Sequence, residues 1–174
     1  MRKLPFDKEK LEEIAKKYPT PFHIYDAEAI RENARRLLKA FSWNKGFREY
    51  FAVKAAPNPE LMRLLKEFNF GSDCSSMAEL VLAEKVGNVG DAIMFTSNDT
   101  PAEEFVKAWE LGAIINLDDI THWDFLCKSV GASTPADFKD RIMCCRYNPG
   151  PLKGGNAIIG KPEEAKYGFT REQL

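Results

Sequence analysis

The stretch Glu49-Tyr50-Phe51-Ala52-Val53-Lys54-Ala55-Ala56-Pro57-Asn58-Pro59 decides the fold. It reads as a buried strand that ends in a lysine and passes through a turn into a helix. Alternation along a strand puts Tyr50, Ala52 and Lys54 on one face, and Phe51, Val53 and Ala55 on the other. The second set is apolar and suits packing beneath covering helices. The first directs a primary amine into the space opposite. Pro57 and Pro59 end the strand, and Asn58-Pro59 supplies an N-cap followed by proline at the first helical position. A lysine at the C-terminal end of a barrel-type strand stands where such folds keep their chemistry. The competing reading is a solvated, snorkelling lysine.

Outward from this stretch, strand and helix patterns alternate. A helix from about Pro59 to Phe68 has Leu61, Leu64, Leu65 and Phe68 as its buried stripe, and the strand Phe70–Cys74 follows. Ser76-Met77-Ala78-Glu79 has capping-box spacing for the next helix, which Gly87 and Gly90 close. Ala92–Thr96 is a strand. Thr100-Pro101-Ala102-Glu103 forms a second capping box, with proline at the first helical position of a helix burying Phe105, Val106 and Trp109. Gly112 stops that helix. Ala113–Leu117 is a near-continuous apolar strand, as parallel strands covered on both faces should be. A helix around Trp123 and Leu126 leads to Gly131, and the strand Arg141–Tyr147 ends in Asn148-Pro149-Gly150-Pro151. This rhythm specifies parallel βα units.

Upstream, residues 7–18 carry Leu11, Ile14, Ala15 and Tyr18 at helical spacing, and Pro19 stops that helix. Thr20–Tyr25 reads as a short strand. Asp26 caps a second helix whose stripe is Ile30, Ala34, Leu37, Leu38 and Phe41, and Trp43–Gly46 is the loop beyond it. Lys153-Gly154-Gly155-Asn156 reads as a flexible loop that is not placed to cradle a phosphate.

With 25 basic against 26 acidic residues in 174, charge balance indicates no nucleic-acid partner and no membrane surface. No apolar run reaches the roughly 18 residues that span a bilayer, and MRKLPFDKEK lacks a signal-peptide core. The four cysteines (Cys74, Cys127, Cys144, Cys145) show no CxxC spacing and read as reduced thiols of a cytoplasmic protein. Two histidines, His23 and His122, make no zinc site with them. A complete (β/α)8 barrel takes about 250 residues, so five βα units in this length read as a barrel cut short, ending as Thr170 caps a new helix.

Phe51-Ala52-Val53-Lys54-Ala55, the helix from Pro59, and Gly71-Ser72-Asp73-Cys74-Ser75-Ser76-Met77-Ala78-Glu79-Leu80 together resemble the pyridoxal-phosphate decarboxylases of the alanine-racemase-like fold, diaminopimelate decarboxylases above all. Ile114–Asp118, Arg146-Tyr147-Asn148-Pro149 and Ala165-Lys166-Tyr167-Gly168 agree with it in order. Ala56 departs from the family motif, which has asparagine there.

The resemblance implies an α/β chain: a partial (β/α)8 TIM-like barrel of the alanine-racemase-like type, with about five βα units and the second β domain missing. Its parts would be an N-terminal helix (1–19), a leading strand and helix (20–48) and a truncated cofactor-binding barrel (49–174). The implied cofactor is pyridoxal 5'-phosphate. The implied parent activity is decarboxylation of meso-2,6-diaminopimelate to L-lysine and CO2 by a carboxy-lyase of lysine biosynthesis, a homodimer acting on a small amino-acid substrate. An ornithine, arginine or carboxynorspermidine decarboxylase, or a non-catalytic pyridoxal-phosphate-binding protein, is the alternative.

Lys54 is the implied Schiff-base lysine. A lysine ammonium has a solution pKa near 10.4, so its setting must help deprotonate it. Asp73 is the implied cofactor-site aspartate near it, or else a charge favoured by a helix N-terminus. Arg146 is placed by the resemblance near the cofactor, or else forms a structural ion pair. No metal is implied. Segments that the family uses farther along, including a histidine-bearing sixth strand and a glycine-rich phosphate loop, are not in this sequence, and the isolated 174 residues are expected to be inactive.

Overall fold

The computed structural model describes residues 5–150 and 167–174. The Lys153–Asn156 loop and Ala165-Lys166 lie outside the described residues. Two compact units divide the chain, Met1–Phe47 and Arg48–Leu174.

In the first unit, α1 (Lys8–Lys17) starts at Asp7, whose carboxylate accepts the Lys10 N–H at 2.8 Å. Asp26 caps α2 (Ala27–Ala40) in the same way, through the Ala29 N–H at 3.0 Å. Of the expected α2 stripe only Ala34 is fully buried. Thr20–Tyr25 is not a strand. Among the described residues no neighbouring strand pairs with it, and Pro21 has no N–H to offer a ladder.

The second unit holds one parallel sheet of five strands: β1 (Tyr50–Ala52), β2 (Gly71–Cys74), β3 (Ile93–Thr96), β4 (Ile114–Leu117) and β5 (Met143–Cys145). Their order in the sheet is their order in the chain. Helices α3 (Pro59–Lys66), α4 (Met77–Lys85), α5 (Ala102–Glu110) and α6 (Thr121–Val130) make the crossovers. Sequential parallel order belongs to a barrel arc; a doubly wound sheet reverses its order at a switch point.

Alternation separates the two faces of the arc. Cys74, Ile93, Phe95, Ile115 and Leu117 are all buried in one core with Leu80, Phe105, Ala108 and Leu126 of the helices. Ring edges lock this layer, with Phe95 and Phe105 at 6.2 Å and Phe105 and Phe125 at 6.0 Å. The opposite phase carries Asp73, Thr96 and Asn116, all half-buried.

Several boundaries differ from expectation for local reasons. β1 stops at Ala52, and Val53–Ala55 turns in a short 3-10 helix, so Lys54 does not continue the strand alternation. In α3 the buried residues are Met62 and Leu65, while Leu61, Leu64 and Phe68 are half-buried. β5 is confined to Met143–Cys145, and before it the N–H of Arg141 turns back to the Phe138 carbonyl at 3.0 Å. Its guanidinium stacks on Trp109 at 3.6 Å and donates to the Trp109 carbonyl at 2.7 Å.

Neither expected capping box closes. Glu79 accepts the Ser75 N–H at 2.9 Å in place of the Ser76 N–H, and the Met77 N–H at the start of α4 goes to Glu104 of α5 at 2.7 Å. Pro101 is itself the N-cap of α5 rather than its first residue, which leaves the buried Thr100 hydroxyl without a partner. Gly112 does stop α5, with φ at +71° and the Ala113 N–H reaching back to Ala108 at 3.0 Å.

Candidate active site

Polar side chains gather where the strands end. Asn58 caps α3 by accepting the Glu60 N–H at 2.9 Å, and Pro59 occupies the first helical turn. The chain between β1 and that cap is therefore short, and Lys54 sits in it, exposed, with buried Val53 anchoring the turn to the core.

Asp73 lies on β2 in register with Ala52 of β1 and Met94 of β3. Burial pushes its pKa up, opposed by the Thr96 hydroxyl beside it and by the charges of Lys54 and Arg146. One of its oxygens, Oδ1, is buried with no hydrogen-bond partner. Lys54 and Asp73 thus share one electrostatic neighbourhood. The Asp73 carboxylate does not cap α4, whose first N–H is taken by Glu104.

Arg146 stands one residue past the end of β5, not within it. Its N–H bonds to the Leu117 carbonyl at 2.8 Å, which extends the β4–β5 register. Its guanidinium lies 3.0 Å from Asp118 Oδ1, close but not aligned as a hydrogen bond. Asp118 is 2% exposed, whereas the Arg146 side chain keeps about a third of its surface (34%). Burial also raises the Asp118 pKa, opposed by Arg146 and by His122. Arg146 thus pairs with a buried acid, and its charge reaches Asp73.

Tyr167-Gly168-Phe169 returns to this end of the sheet. The Gly168 N–H donates to the Asp118 carbonyl at 2.9 Å, and Phe169 pairs in parallel with Tyr147. The Arg146 guanidinium lies 5.8 Å from the Tyr167 ring centre. A side chain on Gly168 would meet the Arg146 carbonyl at 2.9 Å, and φ there is +89°, so only glycine permits this approach.

Thr96, Asn116 and Asp118 belong to the cluster, although the sequence reading named none of them as a site residue and used Ile114–Asp118 only as part of the resemblance. Asn116 Nδ2 donates to Thr96 Oγ1 at 3.3 Å. The available signal was their position at the ends of consecutive strands. Tyr50, expected to face the Lys54 space, points to the other end of the sheet, where its hydroxyl donates to the Asp91 carbonyl at 2.6 Å. His122 lies in the first turn of α6 with its ring edge-on to Phe105 at 5.7 Å. Among the described residues no cluster of three or more His, Cys, Asp or Glu could hold a metal, and no helix is long and apolar enough to cross a membrane.

Most of the chain is similar to known proteins. The family model described as pyridoxal-dependent decarboxylase, pyridoxal binding domain, matches residues 27–174. Protein TabA of Pseudomonas amygdali pv. tabaci is 38% identical over 164 residues, covering 94% of this chain and 36% of that protein. Diaminopimelate decarboxylase of Methanothermobacter thermautotrophicus is 38% identical over 107 residues, 61% of this chain and 25% of its own. Among solved structures, diaminopimelate decarboxylase from Helicobacter pylori complexed with L-lysine superposes with a TM-score of 0.74 at 25% identity, over 94% of this chain and 41% of that one. The chain thus spans about a third of the length of the first of these relatives.

Proposed function

We propose a function from one premise: the chain belongs to the pyridoxal-dependent decarboxylases, through their pyridoxal-binding domain. The cofactor of that domain is pyridoxal 5'-phosphate. The residues here fit it. The orphaned, buried Oδ1 of Asp73 stands ready to accept a hydrogen bond, beside an exposed amine and a partly exposed guanidinium.

In this reading Lys54 is the point of covalent attachment, Asp73 orients the cofactor and the lysine, and Arg146 offers its charge to the anionic groups. Residues 49–174 then form the part of the barrel that carries these three. When bound, the cofactor acts as an electron sink for the pair left by departing carbon dioxide. The protein's share is electrostatic. Lys54 must lose a proton to react as a nucleophile. Asp118 lies 3.0 Å from the Arg146 guanidinium and tethers it at this end of the sheet.

For the whole protein we infer decarboxylation of meso-diaminopimelate to L-lysine and CO2, by a soluble homodimer of lysine biosynthesis. The recurrence of diaminopimelate decarboxylases among relatives from several organisms supports this substrate. The observation that carries the class of chemistry is the convergence of Lys54, Asp73 and Arg146 at the strand ends.

The chain is to be incubated with pyridoxal 5'-phosphate, reduced with borohydride and digested. The pyridoxyl group is expected on the Lys54 peptide and absent from Lys54→Ala. Labelling spread over surface lysines, with no loss in Lys54→Ala, would refute the assignment. Release of CO2 from meso-diaminopimelate by the whole protein, compared with ornithine and arginine, tests the substrate.

A further inference from the structure

We propose that Asn116 and Thr96 are positioning residues which fix the Asp73 carboxylate beside Lys54, as one line of hydrogen-bond donors running across three neighbouring strands. The inference rests on the reading of Lys54 and Asp73 as the cofactor site and extends it to two residues that act through Asp73.

The register sets the line. Thr96 stands opposite Asn116 on β4, and Asp73 stands opposite Met94, two residues before Thr96 on β3. Residues two apart share a face of a strand, so the three polar side chains project from one side of the sheet, away from the helix-covered core. The first link is the Asn116 amide donating to Thr96 Oγ1 at 3.3 Å. A threonine hydroxyl has a single hydrogen. With its oxygen already accepting from Asn116, Thr96 has that hydrogen to offer the Asp73 carboxylate, its neighbour on the same face of the sheet. An ionised carboxylate only accepts, so the direction of the line is fixed from Asn116 through Thr96 to Asp73.

The arrangement has a chemical purpose. Asp73 also faces Lys54 beyond β1, Glu79 of α4 and Arg146 beyond β5. Burial and Glu79 disfavour its charge, while Lys54 and Arg146 favour it. Both cations stand on side chains with exposed surface, able to turn toward a ligand. Thr96 and Asn116 are held by strands. The donor line therefore favours the ionised, oriented carboxylate against the opposing effect of burial when Lys54 is committed elsewhere.

The test reads Asp73 itself, in the cofactor-free chain. Carbon NMR of labelled aspartate carboxyls follows its titration, with Asp73→Asn identifying the resonance and circular dichroism confirming the fold. Thr96→Val, which keeps shape and removes the hydroxyl, is expected to shift the Asp73 midpoint upward. Thr96→Ser should restore it, and Asn116→Ala should shift it upward by a smaller amount. An unchanged midpoint in folded Thr96→Val overturns the proposal. If that variant does not fold, an unchanged midpoint in Asn116→Ala does the same. Borohydride trapping is run alongside on the unsubstituted chain. Failure to label Lys54 sinks the functional reading without moving the Asp73 titration, so the two failures are told apart.

Discussion

A carboxylate set among cations but deprived of water is pulled both ways, and at Asp73 the loss of water is the larger effect. Its folded pKa lies above its unfolded one. The folded state therefore holds a proton that the unfolded state has released, and stability falls as pH rises through that window. Asp73→Asn is expected to raise the melting temperature at neutral pH. The gain should disappear well below the ordinary aspartate pKa, where both forms are neutral. Melting curves across pH 3–8 check this, and a gain independent of pH would contradict it. Lys54, Asp73 and Arg146 could be nominated because each stands in a motif that resembles the family's. Thr96, Asn116 and Asp118 were not, since they matter only through partners on adjacent strands. A sequence does not display the register that sets those partnerships.

Elements were legible where a single residue type decides them and illegible where a neighbour intervenes. Asn58-Pro59 started α3 as read, because the cap is local. The two capping boxes failed because Glu104 reaches across to α4 and Pro101 takes the cap position of α5. β1 was read too long because alternation was carried past Ala52 into the turn that holds Lys54. Gly71 shows the same dependence on neighbours. A methyl group there would meet the Tyr50 ring at 2.5 Å and the Ala92 carbonyl at 2.8 Å. The ring is fixed by its bond to Asp91, and the carbonyl is backbone. Gly71→Ala is expected to cost about 1–3 kcal/mol of stability, as overpacking does, read as a lower urea midpoint. An unchanged midpoint would show that β1 and β2 part more easily than this packing implies.

Across the molecule, the parallel barrel arc was legible from the rhythm of strand and helix, since each crossover needs a helix of this length. The layering was legible too, in the buried phase of each strand. Phe105 ties the layers together, touching Phe95 of β3 and both His122 and Phe125 of α6. Phe105→Ala is expected to lose about 3–5 kcal/mol, the usual range for a large buried ring. Equilibrium unfolding followed by tryptophan fluorescence measures it, and a loss below about 1 kcal/mol would mean that this core collapses around the gap. The sheet in which every strand lies beside its predecessor has a further consequence, for the order in which the protein forms. Each strand–helix unit finds its docking edge already synthesised, because its partner is the unit just before it. Contacts of short sequence separation favour fast pairing. This arc can therefore be laid down during translation, one unit after another, without waiting for a distant part of the chain to leave the ribosome.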